Sequence, residues 1–372
     1  MKKLFFITYL CYFLPYTLMI PHLEFVAASQ AQRNWMFAIS ALLAMMGQAG
    51  IGFICDQFNT ISKPYRITLI IVILSGWQLY AAHSTITALI WATLFGAAFR
   101  INMGILDSWA LESGENGNLR YGIIRGWGAI GGIAGSASAD FISRKWGMLQ
   151  IGNGVILIGL MAFFCSILMP DVKRKQETHS FCLKNVFVLL KNAGYCRMIA
   201  ILFLINIMAN ADFLIVIDKM IELNAGSQLI SLKWELQSLC ELPLFLISTY
   251  LLRRWSARGL LTFSLGMYSL RLILTSMASN AELIILISML QLVTFPLFQI
   301  ASKILIDRQV PESLRTTGQQ LALSIYSGCS MWVSPLIFGA MSACFSNNIS
   351  LFLTGLIGLI PAWLLFVDSN HG

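Results

Sequence analysis

The chain has 372 residues, 57% of them hydrophobic and only 11% charged, with a net charge of +8. Soluble domains carry about a quarter charged residues, so a water-facing globule is excluded and a chain that crosses a membrane many times is implied. The positive charge does not indicate nucleic-acid binding, because its distribution along the chain follows membrane topology.

The start, Met1-Lys2-Lys3 before an apolar run, has no small-residue cleavage site after it; Pro15, Tyr16 and Pro21 follow instead. It reads as a first span rather than a signal peptide. Twelve apolar segments of spanning length follow from the hydropathy pattern: 4–22, 35–55, 65–83, 86–108, 121–143, 147–169, 197–218, 229–252, 259–278, 282–304, 317–341 and 348–367. That leaves roughly 31 residues per span and loop, too few for an extramembrane domain. The longest interruption, 170–196, is polar and basic, with Lys173, Arg174, Lys175, Lys184 and Lys191. The expected layout is therefore a bundle over 1–170, a linker loop over 171–196 and a second bundle over 197–372. With both termini inside, seventeen Lys and Arg fall on the cytoplasmic side and five (Arg33, Arg144, Lys145, Lys219, Lys233) outside, which decides the orientation. The eight cysteines are scattered and form no CxxC or Cys/His cluster, so no metal site or disulfide framework is expected.

Charges inside the spans are costly and mark candidate function. Arg100 and Asp107 lie on span four, Arg125 on span five and Arg271 on span nine. Asp107 and Arg125 each sit about five residues from the loop at 112–120, so at ~1.5 Å per residue both lie ~8 Å deep on adjacent antiparallel helices. Arg100 is two turns from Asp107 on nearly the same face. In the second half, Glu241 and Arg271 fall at equal depth near the midplane, Gln291 and Arg271 are equally far from the turn near 279–282, and Asp212 is at comparable depth. Asp212, Glu241, Arg271 and Gln291 are expected to converge on one polar cavity, with Glu241 or Asp212 as proton carrier. Gly128, Gly131, Gly132 and Gly135 give small-residue spacing for a close helix crossing on span five. Tyr12, Pro15 and Tyr16 on span one either line a cavity or pack the core. Pro243, Pro296 and Pro335 are expected to kink their helices.

Two six-span halves joined by a basic loop resemble the major facilitator transporters. Gly52-Phe-Ile-Cys-Asp56-Gln-Phe-Asn, then Lys63 and Arg66, resembles the family's gating-loop motif G-x-x-x-D-R-x-G-R-[RK], with Gln57 for Arg and Asn59 for Gly. Asp107, with Arg125 in Tyr121-Gly-Ile-Ile-Arg125-Gly-Trp127-Gly128, resembles the lactose-permease branch and its phenylpropionate-permease-like and nucleoside-permease-like members. So do Ser269-Leu-Arg271 and Leu290-Gln291-Leu-Val-Thr294-Phe-Pro296. The resemblance implies an all-α membrane protein of twelve transmembrane helices in two pseudo-symmetric bundles that rock about a midplane site. It implies substrate binding by Asp107 and Arg125; charge and depth add Arg100 from the first half and set Arg271, Gln291 and Glu241 to face them from the second. It departs at Gln291 and Thr294, where a histidine and a glutamate are usual, at Ser288 for a lysine, and at Gly132, where a tryptophan stacks on the sugar; Trp127 is the candidate substitute.

The sequence thus predicts a secondary active transporter in the cytoplasmic membrane, not an enzyme. It would move a small polar organic solute, a sugar or glycoside first and a nucleoside or aromatic carboxylate next, by alternating access. Proton symport is the expected energy source. No cofactor and no nucleic-acid partner are expected, the bilayer is the solvent, and the protein is expected to act as a monomer. The rival reading is a sensor or partner protein that kept the fold without transporting.

Overall fold

A computed structural model describes residues 1–58, 60–112, 117–171, 189–246, 254–311, 318, 321–361 and 365, without the side chains of 49, 52–54, 56–58, 111–112, 117–123, 125, 242 and 245–246. Among these residues the chain is helical and has no strand. In chain order the helices are α1 (Lys2–Thr17), α2 (Met19–Phe25), α3 (Gln30–Phe58), α4 (Ser62–Ala81), α5 (Thr85–Glu112), α6 (Gly117–Trp146), α7 (Ile151–Ile167), α8 (Ala193–Glu222), α9 (Ser227–Leu246), α10 (Ala257–Met277), α11 (Ala281–Ser288), α12 (Phe295–Asp307), α13 (Ser330–Cys344) and α14 (Asn347–Ile357). Among the described residues seven stretches are long and apolar enough to cross a membrane: Lys2–Phe25, Thr85–Ala110, Met148–Ile167, Ala193–Glu222, Ala257–Met277, Ala281–Asp307 and Leu321–Cys344. The other predicted spans fall on α3, α4, α6, α9 and α14. Their windows carry more polar residues or are shorter, which is why apolarity alone leaves them out.

By packing, the chain divides into two compact units, Met1–Glu177 with Gly226–Glu235, and Thr178–Ala225 with Leu236–Gly372. In the first unit α1 lies close along α6. A Cβ on Gly131 would stand 2.2 Å from the Phe6 carbonyl oxygen, and one on Gly135 would stand 2.8 Å from that of Leu10. Only glycine allows backbones to approach this closely, so the small-residue stripe is packing surface. Tyr12 and Pro15 are buried in the same unit and belong to its core.

Asn102 on α5 is fully buried and ties three helices together. It accepts from the Tyr12 hydroxyl on α1, and its amide donates to the Tyr65 carbonyl at 2.7 Å and to Thr68 Oγ1 at 2.6 Å on α4. Tyr65 Oη in turn meets Thr8 Oγ1 at 2.7 Å. In hydrocarbon each of these groups must be satisfied inside the protein, so the knot fixes the register of α1, α4 and α5.

Asp171, just beyond α7, closes one end of this unit. It accepts from Thr60 Oγ1 at 2.5 Å, from the Ile61 amide at 3.2 Å and from the Ser62 amide at 3.1 Å, so a carboxylate sits at the positive start of α4. Burial would push Asp171 up, but the hydrogen bonds from Thr60, Ser62 and Ile61 outweigh it and hold the carboxyl below its usual range.

In the second unit Asn192, Ser256, Asn280 and Ser346 cap the starts of α8, α10, α11 and α14 with side-chain oxygens. The end of α10 is capped from another helix. Lys219 on α8 donates to the Thr275 carbonyl at 2.6 Å and the Ser276 carbonyl at 2.9 Å, where the helix dipole is negative. Of the five cations assigned to the outer side, Lys219 and, in the first unit, Arg33 and Lys233 are buried. Pro296 sits at the start of α12 after a 3₁₀ turn over Met289–Val293, so the tenth predicted span is broken rather than merely kinked. Pro243 and Pro335 lie inside α9 and α13.

Candidate transport site

Four helical elements of the second unit bring charges to one point. Arg271 on α10 is 2% exposed and Asp212 on α8 is 7% exposed. Arg271 Nη2 donates to Asp212 Oδ1 at 2.6 Å, and Arg271 Nη1 donates to Gln291 Oε1. Gln291 Nε2 donates to Glu241 Oε1 on α9 at 2.8 Å. Gln237, one turn before Glu241, donates to Asp212 Oδ2 at 2.7 Å. Thr294 Oγ1 reaches Gln291 Oε1 at 3.2 Å. The break before Pro296 positions Gln291, because the 3₁₀ turn holds its side chain toward α10 while α12 starts afresh.

The arrangement has a defined electrostatic logic. The guanidinium forks between a carboxylate and an amide oxygen. The amide then turns its NH₂ to the second carboxylate, so Glu241 meets Arg271 through Gln291. Two carboxylates share one permanent cation, giving a formal charge of −1 when both are ionised. A proton on Glu241 neutralises the cluster and leaves the arginine fork on Asp212 and Gln291 in place. The four residues that depth matching groups in the second half, Asp212, Glu241, Arg271 and Gln291, are thus brought together. Gln237 was not singled out, although its place four residues before Glu241 puts it on the same helix face.

The first-half candidates lie on α5, which carries Arg100 and Asp107, and on α6, which carries Arg125 and Trp127. Arg100 Nη1 lies 3.5 Å from Ser40 Oγ on α3, its guanidinium carbon is 5.8 Å from the Phe99 ring centroid, and the guanidinium donates to the Tyr16 hydroxyl. Tyr16 therefore serves the arginine, while its neighbour Tyr12 serves the core. Phe99 packs tilted against the same wall, its ring centroid 5.3 Å from that of Tyr16 and 5.5 Å from that of Tyr12. Asp107 lies two turns further along α5 and is half-buried. The side chains of Arg125 and Asp56, and that of Gly52's neighbourhood at 52–54, lie outside the described residues, so the expected Asp107–Arg125 pairing and the gating-loop motif have no structural account. Trp127 is 42% exposed and meets Phe6 edge-on at 6.4 Å. Asn102, in the middle of the Arg100–Asp107 stretch, was missed. An isolated asparagine in an apolar run was the available signal. Among the described residues no group of His, Cys, Asp and Glu is placed to hold a metal.

Residues 1–353 match the model of the MFS_1 like family. The chain belongs to that family. A xanthosine permease of Escherichia coli (strain K12) is 22% identical over 373 residues, which covers 94% of this chain and 86% of the permease. The solved nucleoside transporter NupG superposes with a TM-score of 0.80 at 15% identity, covering 98% of this chain and 97% of that one. A D-xylose–proton symporter superposes with a TM-score of 0.74 at 13% identity, covering 98% and 96%. At such identities the structural likeness carries the fold. This member of the MFS_1 like family is an all-α, multi-pass membrane protein, a secondary transporter of a small molecule and not an enzyme.

Proposed function

We propose that the protein is a proton-coupled nucleoside permease of the cytoplasmic membrane, working as a monomer by alternating access with both termini cytoplasmic. The observation that carries this reading is the buried Asp212–Arg271–Gln291–Glu241 network. A nucleoside presents ribose hydroxyls as donors and a base edge with both donors and acceptors. Carboxylates and primary amides are the side chains that match such a set. The permease relative moves the nucleoside ahead of the sugar that sequence features place first.

In this reading a ribose hydroxyl takes the place of the Gln291 amide at Glu241. Glu241 accepts the coupled proton, since its link to the arginine runs through an amide that can turn away, whereas Asp212 is held directly by the guanidinium. Arg100 and Asp107, with Arg125 and Trp127, supply contacts from the first half. No cofactor is required. Proteoliposomes with an inward proton gradient test the proposal against a panel of a purine nucleoside, its free base, a pentose and a disaccharide. Accumulation of the nucleoside above the others supports it. Accumulation of a sugar alone, or of nothing, contradicts it.

A further inference from the structure

We infer that the ends of α10 and α12 form a binding site for the phosphate headgroup of an anionic phospholipid. A cavity of about 710 Å³ opens there. Arg258 at the start of α10 and Arg308 just past α12 line it from two separate helices, with Ser256, Thr262 and Gln309 as polar edges and Phe263 as an apolar one. Two guanidiniums reached from different helices make a fork for phosphate oxygens that a single surface cation does not. Arg254 and Lys303 add positive charge against one carboxylate, Asp307, in the same segments.

The apolar side of the site favours a lipid over a soluble anion. Trp255 is 52% exposed and Phe263 is 43% exposed, and their rings meet edge-on at 6.2 Å. Both α10 and α12 end stretches that are long and apolar enough to cross a membrane. An exposed tryptophan at such an end belongs at headgroup depth, with its ring against glycerol and upper acyl carbons. In the proposed orientation this end faces the cytoplasmic leaflet, where anionic lipids meet basic pockets between spanning helices. A free phosphate has no use for the aromatic pair. The occupant would also bear on α8, because the Gln309 carbonyl accepts from Asn192 Nδ2 at 3.0 Å and Asn192 caps that helix.

The test uses the purified full chain in a neutral detergent. Lipid retention by native mass spectrometry and the thermal midpoint are read with added phosphatidylglycerol, phosphatidylcholine or inorganic phosphate. Phosphatidylglycerol is expected to be retained and to raise the midpoint, while the other two do neither. Arg258→Gln with Arg308→Gln should weaken phosphatidylglycerol retention on the order of tenfold. Equal retention of phosphatidylcholine, an equal response to inorganic phosphate, or an unchanged lipid preference in the double variant overturns the proposal. If the double variant does not fold, Arg308→Gln alone, at an exposed position, must still lower retention; no loss there overturns it as well.

Discussion

In the first unit Asn102 joins α1, α4 and α5 through neutral hydrogen bonds alone, whereas in the second unit Arg271 joins α8, α9, α10 and the 3₁₀ turn before α12 through three formal charges. Both are buried polar clusters in an apolar protein, and the difference is what they can exchange. A neutral knot with its donors and acceptors matched has nothing to give to a ligand or a proton. A cluster of two carboxylates and one guanidinium has a spare charge, and an amide bridge that a hydroxyl can replace. On the proposed function, buried polarity is structural in the first case and available for work in the second.

The comparison can be broken most sharply at Arg271. Arg271→Ala leaves Asp212 and Glu241 facing each other without a cation. It should cost about 3–5 kcal/mol of stability, as removal of one partner from a buried pair does, and abolish uptake. Purified yield, thermal midpoint and uptake together check this. Next comes Asn102→Ala, which strands the Tyr12 hydroxyl and should cost about 1–3 kcal/mol, while uptake per folded molecule stays near that of the wild type. Loss of uptake at unchanged stability would move Asn102 into the site and erase the contrast between the units. Glu241→Gln should be milder for the fold, since glutamine keeps the bond to Gln291. It should retain counterflow but lose gradient-driven accumulation; unchanged accumulation excludes Glu241 as the proton carrier.

Asp171→Asn should have the smallest effect. The folded Asp171 carboxyl is depressed, so its stabilisation is present above the unfolded value of about 4 and is lost as pH falls through the lower folded value. The wild type should therefore exceed the variant in thermal midpoint at neutral pH. The gap should close on acidification below about pH 4; a gap that grows in acid would contradict the capping role.

Much of this was legible before any helix was placed. Hydropathy located the spans, because lipid forces long apolar helices on the chain, and depth counting from loops brought Asp212, Glu241, Arg271 and Gln291 together. Position along a helix axis is fixed by rise per residue, so matched depth survives without knowledge of the neighbours. Azimuth is not so fixed. That is why Tyr12 and Tyr16, one turn apart, could not be sorted between cavity and core, and why Lys219 was placed on the outer side without its role as the cap of α10. Gln237 and Asn102 were missed because a neutral amide carries no charge to flag it and, unlike Gln291, neither lies in a segment that resembles a family motif; Asn102 ties three helices together and Gln237 holds the second oxygen of Asp212.

The most direct test of the central claim is uptake of a labelled purine nucleoside by proteoliposomes carrying Asp212→Asn with Arg271→Gln. The pair is replaced by neutral polar groups, so neither charge is left uncompensated by the other and folding should survive, as judged by a thermal midpoint within a few degrees of the wild type. Accumulation should be lost. A double variant that folds and accumulates nucleoside at the wild-type level would show that the charged network of the second unit is as structural as the neutral knot of the first.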